Sequence, residues 1–113
     1  MESQLEANKE RLKYIETLQR ELPDLMIHET AKWAEVYKDG ALSAKVKRLM
    51  ALAIALRSAC ENCILAQTMR ALEAGASKEE ILETISVNMA MSGTTGISET
   101  LRVLKLLEEL GKL

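Results

Sequence analysis

Phenylalanine is absent from this chain of 113 residues, proline occurs once, and aromatic residues make up only 3%. A β-sandwich or barrel built on aromatic and β-branched strands is excluded by that vocabulary, and Leu, Ala, Met, Glu and Lys favour helices instead. The longest apolar run, Leu49 to Leu56, is far too short to span a bilayer, so no membrane partner is expected. No charge of one sign dominates: the net charge is -2, and Lys and Arg alternate with Glu throughout. That balance gives no electrostatic case for nucleic acid or anionic lipid and fits solvated helix faces. The opening residues show no charged-then-apolar leader, and a cytoplasmic location is the expectation. Histidine is also scarce. The single His28 stands beside Glu29, apart from the cysteines, and reads as a surface or interface residue.

What remains is an amphipathic chain long enough for one domain, residues 1–113. Leu5, Leu12, Ile15, Leu18 and Leu22 recur at helical spacing and stop before Pro23. Pro23 and Asp24 open a second helix, with Met26, Thr30, Trp33, Ala34 and Tyr37 on one face and Gly40 as its stop. Ser43 caps a third helix over about residues 44–58, whose "LMALAIAL" is apolar almost all round and predicts burial on most sides. A fourth helix starts close to Cys60 and runs to Gly75. Ser77-Lys-Glu-Glu80 is a capping box that starts a fifth, ending near Met91. "SGTTG", residues 92–96, breaks the chain before a sixth helix with Ile97, Leu101, Leu104 and Leu107 on one face. The reading is all-α with about six helices. So few short helices cannot cover a helix as apolar as the third, which predicts a symmetric homo-oligomer.

The only cysteines, Cys60 and Cys63, form a C-x-x-C pair at the start of the fourth helix. This spacing brings two sulfurs within disulfide range, and the free amides of a first helical turn stabilise a thiolate. A zinc clip is the competing chemistry, but zinc wants four ligands and the chain offers two cysteines and a distant histidine. Two inert buried cysteines are the third reading. No metal and no organic cofactor is implied by the pair. Glu61, between the cysteines, is the nearest carboxylate in sequence, but neighbouring residues diverge on a helix and its side chain is expected to face elsewhere.

"LSAKVKRLMALAIALRSACENCILAQTMRALEAGASKEEILETISVNMAMSG", residues 42–93, resembles the carboxymuconolactone decarboxylase superfamily, and within it the AhpD-like alkylhydroperoxidase branch. The features that carry the resemblance are the L-S-x-K opening, the apolar helix, C-x-x-C, the A-G-A-S step, the E-E-I pair and the closing small-residue turn. It implies an all-α, AhpD-like helical fold assembled as a trimer or hexamer. It also implies that Cys63 is the peroxidatic cysteine and Cys60 the resolving one, with electrons supplied by a partner dithiol protein. Branch members carry a glutamate and a histidine that relay the thiol proton, in the pattern E-x(11)-C-x-x-C-x-x-x-H. Here Arg48 stands at the glutamate position and Gln67 at the histidine position. Glutamine can hold a hydrogen bond to Cys63 across one turn but cannot take its proton. The expectation is a slow thiol peroxidase or disulfide oxidoreductase acting on a peroxide or disulfide. A catalytically retired helical oligomer that binds a ligand or partner is the alternative, favoured by the missing base. The lyase activity that names the superfamily is disfavoured by the dithiol.

Overall fold

A computed structural model describes residues 1–113 and contains six α-helices and no strand. They are α1 (Gln4–Glu21), α2 (Pro23–Val36), α3 (Ala44–Arg57), α4 (Glu61–Glu73), α5 (Lys78–Ser92) and α6 (Thr94–Glu109). The starts follow local chemistry. Pro23 occupies the first turn of α2, Ser43 accepts the Val46 N–H, and Ser77 with Glu80 forms the full capping box of α5. Gly93 separates α5 from α6 within the small-residue stretch.

One boundary departs from expectation. Helix α2 ends at Val36 and not at Gly40, with Tyr37 as its C-cap. The Lys47 ammonium donates to the carbonyls of Val36 at 2.8 Å and Lys38 at 2.7 Å. A lysine from α3 thus satisfies the orphan acceptors that a glycine cap would otherwise serve.

Helices α3 to α6 enclose the core, a cluster that includes Leu52, Leu56, Ile64, Ile81, Val103 and Leu107. Helix α1 packs across α4 and α6, and α2 packs back along α1. The expected stripe on α6 is rotated. Ile97 and Leu101 are each 47% exposed, and the core side carries Gly96, Thr100, Val103, Leu106 and Leu107. Gly96 explains this: a Cβ there would lie 3.0 Å from Asn88 Nδ2 and 3.1 Å from the Asn88 carbonyl. The helix turns its smallest residue onto α5, which carries Ile97 and Leu101 outwards while Leu107 of the same expected face stays in the core.

Helix α3 is likewise not buried on most sides within one chain. Leu52, Ala55 and Leu56 are buried, while Met50 is 49% and Ile54 65% exposed. On α1 the buried side chains are polar, Gln4 and Asn8, and Leu12 and Leu18 face out. Of the expected α2 face only Met26 is buried. The accessible surface, 7019 Å², exceeds the roughly 6,200 Å² usual for this mass. The radius of gyration is 14.3 Å, against about 13 Å for a compact chain of this length.

The position of α1 is set from the far end of the chain. Glu109, in the last turn of α6, accepts from the Ser3 hydroxyl and from the Gln4 N–H at 2.7 Å. A carboxylate aimed at the first N–H groups of a helix satisfies them and complements the helix dipole. The Ser3 hydroxyl, and then the backbone amides of Gln4 and Leu5, hold the Glu109 carboxyl below its ordinary value of 4.5. A depressed carboxylate contributes stability that is present above the unfolded pKa and lost as pH falls through the folded one. Below about pH 4.5 the denaturation midpoint should therefore drop, with α1 undocking first. In Glu109→Gln the part of that drop due to this carboxylate should disappear, as measured by urea melts across the acid range. An unchanged pH profile in the variant would show that Glu109 does not anchor α1.

Candidate functional site at the α3–α4 junction

Ala59 and Cys60 make the turn between α3 and α4. The Ala59 N–H donates to Leu56 O and the Cys60 N–H to Ala55 O, both at 3.2 Å. This is a Schellman closure, the same one that ends α4 at Gly75 and α6 at Gly111. Those two glycines have φ of 94° and 71°; Ala59 has φ of 54° and is the one non-glycine residue with positive φ. An L-residue held there costs about 1–2 kcal/mol, and such strain gathers at functional sites.

Cys60 serves two helices at once. Its N–H closes α3, and its Sγ, as the N-cap of α4, accepts from the Cys63 N–H at 3.3 Å. Cys60 and Cys63 are joined by a disulfide, with their Cα atoms 5.2 Å apart. Cys60 is partly buried and Cys63 exposed, while the following Ile64 and Leu65 are buried and fix the first turn. The reading of two inert buried cysteines does not describe this pair.

Arg48 and Gln67, predicted to flank the cysteines, do meet. Arg48 Nη1 donates to Gln67 Oε1 at 3.1 Å, and the guanidinium lies 3.4 Å over the Tyr37 ring. Arg48 is partly buried, while its neighbours are engaged elsewhere: Lys45 pairs with Glu80 at 2.8 Å and Lys47 closes α2. Burial lowers the Arg48 pKa, and Tyr37 opposes that shift. The Gln67 amide oxygen accepts from Arg48, and no hydrogen bond joins Gln67 to Cys63. Glu61 is held at 2.9 Å by Arg102, which also binds Glu99 at 3.2 Å. His28 is exposed on α2.

Cys63 and Gln67 open onto a groove of about 690 Å³ between α4 and α1, reached by Trp33 of α2. Its far wall includes Arg11, Tyr14 and Leu18. These residues carry no motif. Their place at the site follows from α1 lying across α4, which no local pattern in the first forty residues encodes.

A six-helix bundle with a C-x-x-C disulfide at the head of α4, facing a groove, defines a class of small helical dithiol proteins. The model of the carboxymuconolactone decarboxylase family matches residues 27–106, and the chain belongs to that family. The crystal structure of an apo family member from Legionella pneumophila superposes with a TM-score of 0.88 at 28% identity, covering 96% of this chain and 97% of that one. A family protein from Thermotoga maritima, for which an antioxidative role has been suggested, superposes with a TM-score of 0.69 at 31% identity, over 76% of this chain and 89% of that one. An uncharacterised protein from Cupriavidus necator is 39% identical over 59 residues, 52% of this chain and 52% of its own length.

The strained Ala59 is testable by itself. Ala59→Gly removes the left-handed penalty but adds chain entropy to the unfolded state, leaving a net gain of about 0.5–1 kcal/mol. Ala59→Val should destabilise, since a β-branched residue is still less tolerant of positive φ. Urea denaturation of the oxidised proteins checks both signs.

Proposed function

We propose that this chain is an AhpD-like thiol–disulfide oxidoreductase that reduces a peroxide with the Cys60–Cys63 dithiol. The observation that carries the reading is the disulfide at the α4 N-terminus with Cys63 exposed on a groove. In the reduced protein the Cys63 thiolate attacks one peroxide oxygen. The O–O bond breaks, an S–O bond forms, and the leaving alkoxide takes a proton to become an alcohol. The Cys60 thiolate then attacks the sulfenic sulfur, forming the disulfide and releasing hydroxide, which is protonated to water. Two electrons pass from the dithiol to the peroxide, and a partner dithiol protein restores them by exchange. The antioxidative role suggested for the Thermotoga relative is in keeping with this chemistry.

Thiolate formation rests on fixed charge and dipole, not on a base. Unpaired N–H groups of the first turn of α4 favour the anion, and Arg48 adds positive charge one residue removed, through Gln67. Neither Gln67 nor Arg48 accepts a proton at neutral pH. A positioned base contributes about 10²- to 10⁴-fold, so turnover is slow. That same deficit favours a second reading, a retired helical oligomer that binds a ligand or partner. Lactone decarboxylation makes no use of a dithiol.

Hydrogen peroxide or an alkyl hydroperoxide should remove two thiols per reduced chain without cross-linking chains. Cys63→Ser should abolish the reaction, and Cys60→Ser should stall it at a sulfenic acid trapped by dimedone. The double variant Gln67→His with Arg48→Glu places an imidazole and a carboxylate at two positions whose side chains already touch. It should oxidise at least about tenfold faster, roughly 1.4 kcal/mol of barrier. Native thiols that react only in denaturant would leave the retired-oligomer reading in place.

The exposed Met50, Ile54, Ile97 and Leu101 supply the surface for a homo-oligomer, a trimer or hexamer. Light scattering should give three or six times the chain mass of 12.6 kDa, and a single-chain mass would sink this assignment.

A further inference from the structure

We propose that the groove beside Cys63 binds an amphiphilic organic acid, its carboxylate on Arg11 and its alkyl body along Tyr14, Ile15, Leu18 and Trp33. Taken with the peroxidase reading, on which this last step rests, the oxidising substrate is an alkyl hydroperoxide that also carries a carboxylate.

Two arginines near Gln67, Arg11 and Arg48, lack counter-charges. Arg11 is partly buried on the α1 wall of the groove, and its Nε donates to Oδ1 of the buried Asn8 at 3.0 Å. No carboxylate lies within ion-pair distance of it, whereas Arg70 has Glu73 at 3.1 Å and Arg102 has Glu61 and Glu99. Arg48, on the other side of Gln67, is bound only by an amide and an aromatic ring. Burial depresses the Arg11 pKa first and Arg70 depresses it further, against a single raising charge, Glu73. Arg70 and Glu73, which act on both Arg11 and Arg48, pair with each other at 3.1 Å, so Arg11 and Arg48 are the two positive charges left without a carboxylate partner.

The other carboxylates of the groove do not cancel those charges. Glu61 is occupied by Arg102, and Glu2 and Glu10 are exposed at the solvent rim. A desolvated guanidinium with free N–H groups is costly until an anion arrives, and its planar fork suits a carboxylate. The remaining wall is apolar and aromatic, and about 690 Å³ lies within the range of small-molecule sites. Hydrogen peroxide would need neither the charge nor the apolar wall.

Trp33 is the only tryptophan and lines the groove, so its fluorescence reports occupancy without any redox step. The probes are dodecanoate and methyl dodecanoate, titrated below micelle-forming concentration. Dodecanoate should bind at least about tenfold more tightly than the ester, an advantage that shrinks as salt is added. Arg11→Gln should erase the difference while leaving ester affinity unchanged, and Arg11→Lys should restore part of it. The unchanged ester also shows that the variant groove is folded. Equal affinity for acid and ester, or an acid preference that survives Arg11→Gln, would falsify the assignment. Acid binding that depends on Arg11, in a protein whose thiols ignore hydroperoxides, would support the site and remove the peroxidase reading. Rapid hydroperoxide reduction with no acid preference would do the reverse.

Discussion

The hydrogen bond from the Cys60 N–H to Ala55 O holds the turn from which both helices of the site depart. Because it closes the end of α3, the backbone must pass through a left-handed residue, and Ala59 bears that conformation where glycine stands at the other two such turns. Because the same cysteine then caps α4, the direction of α4 and the place of Cys63 follow from one residue. A glycine at position 59 would relax the turn and also loosen it. The alanine makes the junction less tolerant of motion, so the dithiol is held by backbone geometry as much as by the packing of Ile64 and Leu65 behind it.

Helix starts and the cysteine pair were legible because their signals are local. Ser43, Pro23, the Ser77–Glu80 box and the C-x-x-C spacing each act within one turn, and each appears where the sequence places it. The misread features depend on contacts between distant segments. Gly40 resembles a helix stop, yet Lys47 supplies the closure from another helix. The α6 stripe reads as a core face, yet Gly96 must meet Asn88 and turns Leu101 outwards. The α3 run was expected to be covered, and within one chain only a narrow side of it is. Gln67 was recognisable as a neighbour of Cys63 from its register, and Arg48 only from the position it fills in the resemblance. That the amide oxygen turns to Arg48 and leaves the sulfur unbonded depends on where Tyr37 sits, which is beyond local pattern. Arg11, Tyr14 and Trp33 had no signal at all, since apolar and basic residues on an amphipathic helix are expected with or without a groove.

Around the cysteines, charge is arranged to hold and not to exchange protons. Arginines stay protonated across the accessible pH range, an amide does not titrate, and the one carboxylate between the cysteines is paired with Arg102. Such a neighbourhood can bias a thiol towards its anion and can attract an anionic ligand, but it supplies no base to carry the thiol's proton away.

The Glu109 anchor gives the chain an order of assembly during synthesis. Ser3 and Gln4 leave the ribosome before their partner carboxylate, which comes more than a hundred residues later. Until that glutamate emerges, α1 can hold only its contacts with α2 and α4, and its closing contact with α6 is missing. Loop closure over so long a separation is intrinsically slow, so the contact that fixes the α1 wall of the groove opposite Cys63 forms late.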